Sequence, residues 1–202
     1  MTDEDALERA LRPGPPQADA RPPEIAAQAA REGLADVVYA TLDGPVGRLV
    51  LAASPRGLVR IAYADEGEEP VLAELAARVS PRVLADARPL DRARRELDEY
   101  FSGRRQRFEL DLDRRLLGPF ADRVLTATAA IPYGATVTYR EVAGAAGSPR
   151  GFRAAGNALG SNPLPIVLPC HRVIASGGGL GGYTGGLERK RMLLAIEAGH
   201  AG

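Results

Sequence analysis

A single cysteine in 202 residues excludes an internal disulfide, and with it a disulfide-stapled secreted scaffold. Cys170 and two histidines, His171 and His200, cannot supply an ordinary four-ligand zinc site of Cys and His, so no metal is expected. No stretch approaches the roughly 18 to 20 apolar residues of a membrane span. The first residues, Met1-Thr2-Asp3-Glu4-Asp5, are acidic where a secretion signal is basic, and no apolar run follows them. Together these absences read as a soluble, cytoplasmic protein without membrane contact. Net charge is lacking too, since 26 basic residues balance 26 acidic ones and no global field points to a polyanion. The balance is uneven along the chain, however. Residues 118–202 hold 8 Lys/Arg against 4 Asp/Glu, an excess that permits an anionic partner for that part.

Pro13, Pro15, Pro16, Pro22 and Pro23 interrupt any long helix in residues 1–35, which read as short helical pieces in a mobile extension. From Asp36 the pattern changes. Residues 37–39, 46–53 and 58–64 read as strands, separated by the turn signals Asp43-Gly44-Pro45 and Ser54-Pro55-Arg56-Gly57, hence as antiparallel neighbours. Helical spacing follows in Val71, Leu72, Leu75 and Val79, and again in Leu90, Ala93, Leu97, Tyr100 and Phe101. Residues 108–112 alternate apolar and charged side chains and read as a last strand. Residues 36–113 are thus expected to form a small mixed α/β domain, with no identifiable chemistry in it.

Composition shifts after Arg115, and 16 of the 23 glycines fall in residues 118–202, the expected second domain. Phe120, Val124, Ala127 and Ile131 mark a helix that Pro132-Tyr133-Gly134 terminates. A short helix over 138–146 stops at Gly147. Ser148 as N-cap and Pro149 at the first helical position predict a second helix running to about Leu159. Two short helices joined by a Gly-containing turn are a helix-turn-helix candidate. The second one carries Gly151, Ala154, Ala155, Gly156 and Ala158, whereas base reading in the major groove wants Arg, Asn or Gln in several places. A helix stripped of bulk permits close approach to a narrow minor groove with little sequence selectivity. It equally permits tight packing on a neighbouring helix, and these residues alone favour packing.

Chemistry concentrates where an apolar run, Leu164 to Leu168, delivers the chain to Pro169-Cys170-His171-Arg172. A thiol is a usable nucleophile only as thiolate, and a free pKa of about 8.5 leaves little of it ionised at neutral pH. His171 is the natural base and Arg172 an electrostatic aid. Neighbouring residues do not face each other on a helix or strand, so a water bridging Cys170 and His171 would serve. A lone Cys is otherwise most often an inert core residue. Gly177, Gly179 and Gly182 formally satisfy G-x-G-x-x-G, but no βαβ unit surrounds them, which excludes a dinucleotide site. A loop whose backbone approaches a planar base is the more economical reading.

Ile131-Pro132-Tyr133-Gly134, Thr138-Tyr139, Arg153-Ala154-Ala155-Gly156, Asn162-Pro163, Pro169-Cys170-His171-Arg172-Val173 and Gly182-Tyr183-Thr184-Gly185-Gly186 resemble, in order and spacing, the O6-alkylguanine-DNA alkyltransferases. These are the methylated-DNA–protein-cysteine methyltransferase family. The resemblance is close over residues 118–199, looser over 36–113, and leaves out the first 35. It implies an α/β (α+β) fold: an N-terminal ribonuclease-H-like mixed α/β domain, then a mostly helical, winged-helix-like alkyltransferase domain with the helix-turn-helix. It implies single-turnover repair, in which an alkyl group on guanine O6, or thymine O4, moves to Cys170 without a cofactor. The expected partner is alkylated double-stranded DNA, met through the minor groove by a monomer. By the same resemblance His171 is the base, Glu197 orients it, and Asn162 braces the active-site turn. Arg153 fills the stack left by an extruded base and Tyr139 donates to the guanine ring nitrogen. Tyr183 walls the pocket, the Thr184 amide meets O6, the Cys170 and Val173 carbonyls read the exocyclic amine, and Lys190 lies nearby. Without the resemblance, Glu197 reads as a solvated helix residue, and a solvated helix face explains Lys190 nearly as well as a place near the pocket. Gly177, Gly178, Gly179 and Leu180 are expected to border the pocket and leave room for groups larger than methyl. A non-catalytic lesion-binding protein is the alternative, disfavoured because such relatives lack the nucleophilic Cys that this chain keeps as Cys170; a Cys/His hydrolase is a third reading.

Overall fold

The computed structural model describes residues 35–199; the extension expected over residues 1–35 lies outside them except for Ala35, as does His200. The first half is a four-stranded sheet of order β3-β2-β1-β4, with β1 Val37–Leu42, β2 Leu49–Ser54, β3 Gly57–Tyr63 and β4 Val83–Ala85. As expected, β1, β2 and β3 run antiparallel in sequence order. The β2–β3 turn depends on Gly57, whose φ is +125° and whose missing Cβ would fall 2.2 Å from the Asp111 carbonyl oxygen.

Alternation is weak in β2, with Leu49, Val50, Leu51 and Ala52 all buried, because helices cover both faces of the sheet. Helix α1 (Glu68–Arg78) sets Val71 and Leu75 against Val37, Val50 and Val59. Helix α2 (Asp91–Phe101) lays Leu97 and Tyr100 on the other face, against Leu49, Leu51 and Ile61, in a core that continues into the second half of the chain.

One element was not foreseen and one expectation fails. β4 pairs parallel with β1 over three residues, too few to show a period in sequence. Residues 108–112 do not form a strand. They touch the β3 edge through one bridge, Leu58 to Leu112, and the Glu109 amide donates to the Glu96 carboxylate instead of to a sheet neighbour. Alternation across this stretch reflects one face turned to α2 and one to solvent.

In the second half, Pro119 opens α3 (Pro119–Ala129). The Thr138 hydroxyl accepts from the Glu141 amide, and the Glu141 carboxylate accepts from the Thr138 amide. This reciprocal cap starts α4 (Tyr139–Ala145). The next helix, α5, spans Phe152–Gly160, three residues later than Ser148 and Pro149 predict. Ser148 to Gly151 instead closes as a turn, the Gly151 amide donating to the Ser148 carbonyl at 2.7 Å. Two-residue strands β5 (Val137–Thr138) and β6 (Val173–Ile174) pair in parallel, and α6 (Leu187–Glu197) follows the glycine-rich loop. Helices α3, α4 and α5 pack together, so both packing and a solvent-facing side are open to α5.

Candidate active site

Cys170 is presented by a loop that the Asn162 side chain ties shut. Its Oδ1 accepts from the Leu164 amide at 3.0 Å, and its Nδ2 donates to the Leu168 carbonyl at 2.8 Å and to Cys170 Sγ at 3.2 Å. Within the loop, Ile166 has φ +74°, the one non-glycine with positive φ among the described residues. A β-branched residue there carries about 1–3 kcal/mol of strain, which its fully buried side chain helps to hold. The β3 strand grips the same loop, with the Ile61 amide donating to the Pro163 carbonyl at 2.8 Å.

Residues 170–172 form a single tight turn leading into β6. His171 is fully buried, with Nε2 2.8 Å from Glu197 Oε1. Arg172 meets both Glu197 oxygens, Nε to Oε2 and Nη2 to Oε1 at 2.9 Å each, and caps the Ile131 carbonyl with Nη1. The Tyr100 hydroxyl donates to Oε1 at 2.7 Å and the Gly134 amide to Oε2 at 3.0 Å. Burial works against the charged carboxylate, yet the hydrogen bonds from His171 and Arg172 prevail and hold Glu197 down at about 2. Burial also lowers the His171 pKa, despite Glu197, so the imidazole is neutral at physiological pH.

These two facts decide the tautomer. An ionised carboxylate only accepts, so Nε2 must carry the proton, and Nδ1, buried and without a partner among the described residues, is the basic nitrogen. The thiol needs that base, because burial pushes Cys170 up to about 11 against the opposing pull of the Asn162 hydrogen bond and the Lys190 charge.

Cys170 forms part of the wall of a 430 Å³ cavity with Tyr139, Gly156, Leu159, Gly160, Gly182, Tyr183 and Thr184, a volume typical of small-molecule sites. A second cavity of 250 Å³ shares Cys170 and Tyr183 and reaches Tyr63 and Pro165. A further cavity of 490 Å³ between β2, β3 and α2 has no thiol or imidazole in its walls. Over the Cys170 cavity the Tyr139 hydroxyl donates to the Gly182 carbonyl at 3.2 Å, and the Thr184 hydroxyl donates to the Gly160 carbonyl. Gly181 has φ +68°, and a Cβ there would lie 2.7 Å from the Tyr139 ring. Lys190, the one lysine of the chain, is fully buried and donates to the carbonyls of Val173, Leu180 and Gly182. It thereby fastens the glycine-rich loop to β6.

Two family models match in tandem. One described as 6-O-methylguanine DNA methyltransferase, ribonuclease-like domain, covers residues 37–114; the other, the same enzyme's DNA binding domain, covers 119–199. The methylated-DNA–protein-cysteine methyltransferase of Mycolicibacterium paratuberculosis is 41% identical over 165 residues, 82% of this chain and 94% of that protein. The chain belongs to the methylated-DNA–protein-cysteine methyltransferase family. The Mycobacterium tuberculosis member is 39% identical over 81% of this chain and 93% of its own length. A crystal structure titled as that organism's OGT in complex with DNA superposes with a TM-score of 0.71 at 37% identity, covering 81% of this chain and 94% of the other.

Measured against what the family resemblance implies, the structure brings Cys170, Tyr139, Tyr183 and Thr184 to one cavity, sets Asn162 in the wall of the adjoining one that shares Cys170, and pairs His171 with Glu197 in the buried interior. Arg153 is exposed on α5, outside the cavity wall. The Val173 carbonyl accepts from Lys190, and its second lone pair is compatible with a further donor. Three expectations are corrected. Arg172 is bound to Glu197 and serves the carboxylate, not the thiol. Glu197 and Lys190 are buried, not solvated. Gly177, Gly178 and Gly179 are exposed and, like Leu180, line neither cavity at Cys170. Sequence reasoning also missed Tyr63 and Tyr100, which carry the ribonuclease-like part into the site. The Tyr63 hydroxyl pairs with that of Tyr183 at 2.7 Å, and Tyr100 touches both Glu197 and His171 Nε2. A buried tyrosine needs a partner for its hydroxyl, which is the one signal their positions carried.

Proposed function

We propose that this protein repairs O6-alkylguanine in DNA by moving the alkyl group onto the sulfur of Cys170, once per molecule. The observation that carries this reading is the protonation pattern: Glu197 commits the Nε2 proton, leaving basic Nδ1 on the residue next to a thiol at a cavity wall. Through a water, Nδ1 takes the thiol proton; the sulfur attacks the alkyl carbon as its bond to guanine O6 breaks. Imidazolium forms facing a carboxylate that Arg172, Tyr100 and Gly134 already hold, so little rearrangement is needed at that moment. The displaced electron pair leaves with guanine, whose ring nitrogen takes a proton from the Tyr139 hydroxyl; that hydroxyl gives up its bond to the Gly182 carbonyl and is reprotonated through solvent as the imidazolium returns the thiol proton. The thioether is stable, and a chain without a second thiol has no group to relay the alkyl onward.

Helices α4 and α5 act as the helix-turn-helix, α5 facing the minor groove. The target base is extruded at a cost of a few kcal/mol, with Arg153 taking its place in the stack. Asn162 positions the thiol, Lys190 the loop that carries Tyr183 and Thr184, and the protein acts as a monomer of two parts, residues 36–113 and 118–202. Among the described residues no helix is long and apolar enough to cross a membrane, and we assign the protein to the cytoplasm with its DNA substrate.

Stoichiometry tests the reading. Mixed with an excess of duplex containing O6-methylguanine, the protein is expected to convert one lesion per chain and stop. Continuing turnover would identify a hydrolase, and binding without conversion would identify a lesion-binding protein.

A further inference from the structure

Phe152 opens α5 and is 38% exposed, and Leu187 is the one other large apolar side chain so exposed among the described residues. A single exposed apolar residue ordinarily needs no explanation. Three features of its setting give this one a meaning. Two guanidinium groups lie near the ring, Arg140 at 5.5 Å and Arg153 at 5.9 Å from its centroid. Both arginines are exposed, and neither forms an ion pair among the described residues. Helical register aligns Phe152 with Gly156 and Gly160, four and eight residues on, and both glycines line the Cys170 cavity. The ring is therefore rooted about 6 Å along the helix axis from the cavity edge, on the same face. Side chains on a helix lean toward its N-terminus, so the ring extends away from the cavity and leaves the mouth open.

We propose that Phe152 is an aromatic wedge that stacks on a nucleobase beside the extruded nucleotide when the protein binds duplex DNA. The inference rests on the repair reading above and adds a contact to it. Arg140 supplies a cation for a phosphate beside the lesion, while Arg153 fills the vacated place in the stack. The ring next to them supplies the apolar surface that a duplex with one base missing from its stack exposes. Free alkylguanine bases offer no neighbouring base, so Phe152 contributes nothing to their reaction.

The chain contains no tryptophan, so Phe152→Trp places a single indole at the wedge. In a Cys170→Ala background, which holds the complex unreacted, indole emission is expected to be quenched by duplex containing O6-methylguanine and unaffected by heparin. Phe152→Ala is expected to repair duplex about tenfold more slowly, the loss typical of one stacking contact, while its reaction with free O6-benzylguanine is unchanged. Unquenched emission at saturating duplex overturns the wedge. So does a wild-type duplex rate in Phe152→Ala, or an equal loss on both substrates. If the wild-type protein itself takes no alkyl group from either substrate, the repair reading fails instead.

Discussion

Glu197→Ala is expected to destabilise the protein by about 3–5 kcal/mol, the usual consequence of leaving one buried charge without its partner. The stranded charge is Arg172, 6% exposed, whose guanidinium meets both carboxylate oxygens. The Gly134 amide, the Tyr100 hydroxyl and His171 Nε2 lose their acceptor in the same step. Urea unfolding measures the loss, and a change below about 1 kcal/mol would show that water replaces the carboxylate. Replacing Arg172 by Met in the same chain should recover part of it, because the stranded charge is then gone. The pH dependence has a definite sign. Glu197 sits at about 2 when folded, below its ordinary 4.5, so its contribution is complete above about pH 4.5 and fades as the pH falls toward 2. His171, also lowered by burial, acts in the same direction: its share is present above its ordinary 6.5 and lost as the pH falls through its lowered value.

His171→Ala is expected to slow alkyl transfer by about 10²–10⁴-fold, the range of a lost general base, with duplex binding retained. The shape of the pH–rate profile distinguishes lost catalysis from a disturbed fold. With His171 present the rate should be level through neutrality, since the imidazole stays neutral and takes the thiol proton during reaction. It should decline only in acid, below pH 6.5, where Nδ1 protonates. Without His171 the thiolate must form by ionisation in the buried site, so the rate should climb tenfold per pH unit toward the thiol value of about 11. A level profile in the variant would remove Nδ1 from the mechanism.

Local signals in the sequence carried much of this. Gly147 marked the end of the short helix over 138–146, the turn residues placed the hairpins, and apolar periodicity placed α1, α2 and α3. Pro-Cys-His-Arg singled out the nucleophile. What stayed hidden depends on contacts between residues far apart in the chain. Tyr100 reads as one more apolar position of α2, and the acceptor that gives it a role lies 97 residues away. Arg172 looks like a cation beside a thiol until the fold supplies Glu197 at its other side. Lys190 stands between Arg189 and Arg191, and Glu197 is a charged residue at the end of a surface-like helix, so residue type alone reads both as solvated. Ser148 and Pro149 form a good helix start on propensity, but a closed turn uses them first and α5 begins at Phe152.

The sulfur itself is the point of decision. After reaction with duplex containing O6-methylguanine, tandem mass spectrometry of the peptide spanning Cys170 should find one added CH₂ on that residue and on no other. Cys170→Ala should bind the same duplex and gain nothing. Methylation at another side chain, or unmodified Cys170 after the lesion has been converted to guanine, would contradict the account.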